Sequence, residues 1–259
     1  MPTITLNTVS SKNLQLEEIY KTLRANIQFA GTEVKTIVFT SCIPNEGKST
    51  VVIELGAALA AAGKRTLIID ADLRKSVLAS RHNVRRSSSG LSEFLAGTTT
   101  LREVLLTTNI PNLQMILSGP FPPNPAEMLG GKAMQNLLKS ARNAYDYVLI
   151  DAPPLGSVID AAVLAQYVDA SVLIIGAGAI SYRFAQEVKD QLKRTNCPIL
   201  GVVLNKVDQK KTPYYSHYGS YYGKYYGKYY GEGNGKSGKG SRKSSSKASA
   251  KHSGKSAAK

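Results

Sequence analysis

Two cysteines are all this 259-residue chain has, and Cys42 and Cys197 lie far apart without the spacing of a metal-binding cluster. No stretch approaches the roughly 18 uncharged apolar residues that a membrane-spanning helix requires. The N-terminus also lacks the basic segment and apolar stretch of a secretory signal. These scarcities argue against a disulfide scaffold, a zinc module and a membrane-embedded protein. A chain of this length buries enough apolar surface to fold without covalent staples. A reducing cytoplasm is therefore the expected compartment, with any membrane association passing through a partner or the C-terminal segment.

Acidic residues are scarce as well, 18 against 33 lysines and arginines, for a net charge of +15. The imbalance is local. From Lys210 onward there are eleven lysines, one arginine and one glutamate, or +11, and the first 209 residues carry only +4. The basicity that would ordinarily suggest nucleic acid or an anionic surface belongs to the tail, so no specific nucleic-acid partner is expected for the folded part.

Apolar residues make up 42% of the chain. Leu16, Ile19, Leu23 and Ile27 recur at helical spacing, with Glu17, Glu18, Lys21 and Arg24 mostly on other faces, which predicts an amphipathic helix over 14–29. Short runs rich in β-branched residues follow at 36–40, 66–69, 113–117, 147–150, 171–175 and 199–204, most of them separated by helical patterns. Runs apolar on both faces and alternating with helices predict an α/β fold, a doubly wound and mostly parallel sheet covered on both sides. Residues 80–97 read as a surface loop with short helices. Pro120, Pro122, Pro123 and Pro125 predict an extended connection before a helix over 126–144. Periodicity ends after Asp208.

Beyond that point the composition changes. Nine of the fourteen tyrosines lie in residues 214–230, as Tyr214, Tyr215, Tyr218, Tyr221, Tyr222, Tyr225, Tyr226, Tyr229 and Tyr230. Gly219, Gly223, Gly227 and Gly231 interrupt the run, each costing a helix about 1 kcal/mol relative to Ala. The run is expected to be flexible, its phenols open to modification. Residues 232–259, nearly all Lys, Ser, Gly and Ala, cannot repay the entropy of ordering.

Three motifs carry chemistry. SCIPNEGKST at 41–50 sits between a strand and an Ala-rich helix, the context of a phosphate-binding loop. Backbone N–H groups around Asn45, Glu46 and Gly47 would face phosphates at the helix start, Lys48 would neutralise them, and Ser49 and Thr50 would hold phosphate and Mg²⁺. Asn45 stands at a turn position where Gly is easiest, and Asn tolerates positive φ better than most residues. Cys42 replaces the first Gly of the usual pattern, and a buried, inert thiol is its expected state. LIIDADLR at 67–74 ends a strand with Asp70 and Asp72, one residue apart and so on one face of extended chain, where they can address one metal or one incoming hydroxyl. YVLIDAPP at 147–154 ends another strand with Asp151, as a Walker B acid does. Carboxylates at the C-terminal ends of parallel strands lie where such sheets bind ligands. A lone Asp there more often caps a helix, but three beside a phosphate loop point to a nucleotide site.

These motifs resemble those of the bacterial tyrosine kinases of capsule and exopolysaccharide export: a Walker A loop (PNEGKST), a Walker A′ segment (LIIDADLR), a Walker B segment (LIDAPP) and a terminal tyrosine cluster. GLSEFLAG at 90–97 and NPAEML at 124–129 are also similar to family segments. The resemblance implies a P-loop NTPase-like fold and an ATP- and Mg²⁺-dependent kinase that phosphorylates its own tail. In it, Asp72 and Asp151 complete the metal site with Ser49, and Asp70 is the base, the roles of Asp70 and Asp72 being exchangeable. Arg74 either stabilises charge on the transferred group or makes a structural ion pair, and Asn205 is similar to an Asn that contacts adenine. Glu18, Lys21 and Arg24 match a ring-forming E-x-x-R-x-x-R helix with one Arg replaced, a loss of bidentate geometry. The implied partners are a transmembrane co-polymerase or modulator that activates the kinase at the inner face of the membrane, further copies in a ring, and an opposing tyrosine phosphatase. The implied division is an N-terminal segment with the oligomerisation helix (1–35), a kinase domain (36–209), a tyrosine tail (210–231) and a basic tail (232–259).

Two other readings compete. NKVD at 205–208 has the form of a guanine-reading motif, and a partitioning or division-site ATPase would share the loop class. The latter places a signature Lys where this chain has Ile43. In either case the tail would be a binding segment, joining charge to aromatic stacking.

Overall fold

The computed structural model describes residues 3–10, 13–78 and 89–208. The tyrosine run, the basic segment after it and residues 80–88 of the expected surface loop lie outside them. In chain order the elements are β1 (Thr3–Ile4), α1 (Leu14–Phe29), β2 (Thr36–Ser41), α2 (Lys48–Ala61), β3 (Thr66–Asp70), α3 (Leu91–Leu95), α4 (Leu101–Val104), β4 (Leu105–Thr108), β5 (Leu113–Ile116), α5 (Pro125–Gly130), α6 (Lys132–Ala144), β6 (Tyr147–Asp151), α7 (Asp160–Ala165), β7 (Ala170–Gly176), α8 (Tyr182–Lys193) and β8 (Ile199–Asn205).

Each of the six β-branched runs forms a strand. Every residue of β2, β3 and β6 is buried, as strands covered on both faces must be. The sheet order is β1-β4-β5-β3-β6-β2-β7-β8. All neighbours pair parallel except β4 with β5. One face carries α1 and α2, whose Ile27, Val51, Val52, Leu55 and Leu59 pack with Ile37, Phe39, Ile68 and Leu149 of the sheet. The other face carries α5 to α8, with Leu129, Met134, Leu138, Leu164, Val188 and Leu192 packed on Val38, Ile69, Ile150 and Leu173. Truncating a residue such as Leu55, wholly buried in α2, would cost about 2–5 kcal/mol.

The helix over 14–29 forms as its spacing predicts, with the Asn13 side chain accepting hydrogen bonds from the Gln15 and Leu16 N–H groups at 3.0 and 3.3 Å. The helix predicted over 126–144 is two. Gly131 takes an extended conformation, φ −72° and ψ 163°, and splits it into α5 and α6. Pro125, predicted to be part of an extended connection, instead opens α5, where its missing N–H is harmless. Two strands were not predicted: β1 is two residues long, and β4 continues directly from the short α4. Among the described residues no helix is long and apolar enough to cross a membrane.

Candidate active site

The C-terminal ends of β2, β3 and β6 meet at one end of the sheet, and each ends in a motif. After β2 the chain turns through residues 42–47 into α2. Asn45 adopts φ 67°, the left-handed conformation its position called for, and Gly47 adopts φ 88° as the N-cap. No side chain caps α2, and a helix start of this kind favours an anion. A Cβ on Gly47 would overlap the Asn205 side-chain amide.

The loop is braced from inside. Glu46 is buried; its Oε2 accepts hydrogen bonds from the Cys42 and Ile43 N–H groups at 2.7 and 2.9 Å, and its Oε1 from the Gly176 N–H at 2.9 Å. Its side chain is thus turned into the loop, leaving its main chain for phosphate. From β8, Asn205 Nδ2 donates to the Glu46 carbonyl at 2.8 Å and Lys206 Nζ to the Asn45 carbonyl at 2.5 Å. Cys42 is fully buried, and burial together with the nearby Glu46 charge pushes its thiol up to about 12, an unreactive state.

Lys48 opens α2, and its ammonium forms a buried ion pair with Asp151 Oδ1. Asp151 and Asp70 face each other in the β3–β6 register, and both are sealed from solvent. Asp70 accepts hydrogen bonds from the Ser76 hydroxyl and, at 3.3 Å, from the Asp72 N–H. Burial, and then the Asp151 charge, raise Asp70 to about 7 against the opposing pull of Ser76 and Lys48. Asp72 is only half-buried and lines the cleft, its Oδ1 accepting a hydrogen bond from the Lys75 N–H at 2.9 Å. Asp70 and Asp72 are therefore unequal: Asp72 faces the cleft and Asp70 lies behind it.

Arg74 also lines the cleft, but its guanidinium grips the wholly buried Asp160 bidentately, Nε to Oδ2 at 2.8 Å and Nη2 to Oδ1 at 2.9 Å. The structural ion pair is thus the geometry present. The Walker B loop is joined to the phosphate loop. Thr40 Oγ1 donates to the Pro153 carbonyl at 2.8 Å, the Leu155 N–H donates to the Ser41 carbonyl at 2.8 Å, and Gly156 lies so near the Cys42 carbonyl that a Cβ would overlap it. Together these loops enclose a cleft of about 260 Å³, lined among others by Asn45, Gly47, Lys48, Ser49, Asp72 and Pro154.

The cleft fits a phosphate chain: an uncapped helix start, a loop of left-handed turns and a buried ammonium converge there. Among the described residues no group of three or more metal-ligating side chains assembles. Mg²⁺ bound with phosphate needs only one or two protein groups, and Ser49 with Asp72 or Asp151 meets that demand. Thr50 follows in the same helical turn and is half-buried. On α1, Lys21 pairs at 2.8 Å with both Glu17 and Glu18, and Arg24 Nη1 reaches the Ala58 carbonyl of α2 at 3.0 Å. Sequence reasoning missed Glu46 as a brace, Ser76, Asp160 and Lys206. Only Lys206 had a signal, its place in NKVD.

A family model described as an AAA domain matches residues 34–195. Tyrosine-protein kinase CpsD of Streptococcus pneumoniae serotype 4 is 42% identical over 218 residues, 83% of this chain and 95% of that protein. Tyrosine-protein kinase YwqD of Bacillus subtilis is 38% identical over 208 residues, 80% of this chain and 87% of that one. Among solved structures, the kinase domain of Escherichia coli tyrosine kinase ETK superposes with a TM-score of 0.75 at 31% identity, covering 81% of this chain and 84% of that one. A nucleotide-binding site at the strand ends and kinase relatives matching over four-fifths of the chain lead to one conclusion: this chain belongs to the bacterial tyrosine kinases and transfers phosphoryl groups to protein tyrosine.

Proposed function

We propose that the phosphoryl donor is ATP with Mg²⁺ and that the first acceptors are the nine tyrosines of residues 214–230, phosphorylated in trans between neighbouring copies of a ring. The observation that carries this reading is Lys48: the one buried ammonium at the phosphate loop is held on Asp151, on the rung where Asp70 also ends its strand. In this reading the main-chain N–H groups of residues 45–47, with Lys48, Ser49 and Thr50, hold the phosphates. Ser49, Asp72 and Asp151 hold Mg²⁺, which would supply charge neutralisation at the transferred group. Of the two A′ carboxylates, Asp72 on the cleft wall is then the metal ligand and Asp70 behind it the base for the tyrosine hydroxyl, the two roles being exchangeable. Arg74 acts by fixing Asp160, and Asn205 by holding the loop. Phosphoryl transfer asks little covalent chemistry of a protein beyond such positioning and electrostatics.

The boundaries expected from sequence, 1–35, 36–209, 210–231 and 232–259, are retained as the working division. Each phosphotyrosine adds about −1.5 to −2 charges, so nine add roughly −14 to −18 against the tail's +11. Phosphorylation would reverse the tail's charge, loosen ring contacts and weaken attraction to anionic lipid. A transmembrane activator would recruit the kinase to the inner face of the membrane, a phosphatase would reset it, and the cycle would regulate capsular or exopolysaccharide synthesis and export. Incubation with labelled ATP and Mg²⁺ tests the acceptor: label enters the full chain and not one ending at Asp208. Equal label on both would refute the tail as acceptor, and GTP serving at the same rate would refute the nucleotide assignment.

A further inference from the structure

Among the described residues, four that are not glycine have positive φ: Asn45, Asn112, Asn196 and Lys206. Three are asparagines, which tolerate that conformation. Lys206, at φ 58°, is the exception, and nothing in a lysine's own chemistry favours it. A strained residue next to a functional loop suggests a purpose, and its contacts supply one. The turn immediately after β8 sends the side chain back over the phosphate loop, where Nζ donates to the Asn45 carbonyl at 2.5 Å and Cε passes 4.0 Å from where a Cβ on Gly47 would lie. The preceding residue, Asn205, holds the next carbonyl, that of Glu46, at 2.8 Å. Two successive peptide oxygens are thus drawn toward β8.

A trans peptide is planar, and its C=O and N–H point in opposite directions. Drawing the oxygens of residues 45 and 46 toward β8 therefore turns the N–H groups of Glu46 and Gly47 away from it. Asn45, Glu46 and Gly47 line the cleft, and neither Asn205 nor Lys206 does. The clamp thus acts from behind the loop on the donors that an anion in the cleft would use. We propose that Lys206 is a positioning residue for nucleotide binding, holding the Asn45 peptide so that the next N–H is preset for phosphate. It touches no reacting atom; its effect passes through the loop.

The test uses the full chain with Lys206→Met, Lys206→Arg and Lys206→Gly. Three quantities are read: amide hydrogen exchange over residues 42–48 in the nucleotide-free protein, affinity for ATP, and the split between KM and kcat. Lys206→Met is expected to speed exchange in the loop and weaken ATP binding about five- to tenfold, the loss of one hydrogen bond to a charged donor. Its kcat should stay within about twofold, because ground-state and transition-state binding fall together. Lys206→Arg should restore most of the affinity. Lys206→Gly, free of left-handed strain, should melt no lower than the parent and yet bind ATP as weakly as Lys206→Met. Loop exchange and ATP affinity at parental levels in Lys206→Met would overturn the proposal. So would affinity losses that merely follow losses of thermal stability across the three variants.

Discussion

Asp70 and Asp151 stand opposite each other on one rung of the β3–β6 pair, both closed off from water, with the ammonium of Lys48 on Asp151 and the hydroxyl of Ser76 on Asp70. Two carboxylates and one ammonium in a dry site leave one negative charge in excess. Burial first, and then the Asp151 charge across the rung, raise the Asp70 carboxyl to about 7.

This has a consequence for stability. The folded carboxyl of Asp70 keeps its proton up to about pH 7, whereas an unfolded one loses it near 3.9. Between those values the folded state binds more protons, so the contribution of Asp70 is complete below the lower value and is lost as pH rises through the upper one. Asp70→Asn cannot titrate. In denaturant unfolding without nucleotide or Mg²⁺, the stability of Asp70→Asn relative to the parent should rise steadily from pH 4 to 7.5. Parallel profiles would contradict the placement of the proton.

Lys48→Met, the obvious inactivating change, should also destabilise. It leaves Asp151, only 1% exposed, without its counter-charge, and breaking a buried pair from one side costs about 3–5 kcal/mol. The double variant Lys48→Met/Asp151→Asn should recover most of the stability while remaining inactive. A single variant within about 0.5 kcal/mol of the parent would mean that the pair contributes nothing to the fold.

Thiol chemistry gives a quick check on the loop. Both cysteines are buried, and Cys42 is raised to about 12 by burial and the Glu46 charge. A disulfide reagent at pH 8 should therefore find no promptly reacting thiol in the native chain and two after denaturation. Prompt reaction at Cys42 would mean that the loop around it is open.

Much of this architecture was legible in order. Six strands announced themselves as β-branched runs, and three of them ended in the residues that meet at the site, because a strand's last residue and a motif's acid are adjacent in sequence. β1 and β4 were not legible: two residues carry no period, and the leucines of LLTT continue the apolar spacing of the helical turn before them. Gly131 could have warned of the break between α5 and α6. The braces were harder to see for a different reason. Glu46 meets Gly176 across 130 positions, Lys206 meets Asn45 across 161 and Arg74 meets Asp160 across 86. No local pattern encodes such pairings. Asp70 and Asp72 looked equivalent in sequence and became distinct only through burial.

The central claim is that this kinase phosphorylates the tyrosine run of a neighbouring copy, and one mixing experiment tests it directly. A full-length Lys48→Met chain, carrying all nine tail tyrosines but no loop lysine, is combined with an otherwise unaltered chain ending at Asp208, in the presence of labelled ATP and Mg²⁺. Neither chain alone should take up label. Together they should yield phosphotyrosine on the Lys48→Met chain, within residues 214–230. Label confined to the truncated chain, or no label in the mixture while the unaltered full chain labels itself at a rate independent of concentration, would contradict transfer between copies.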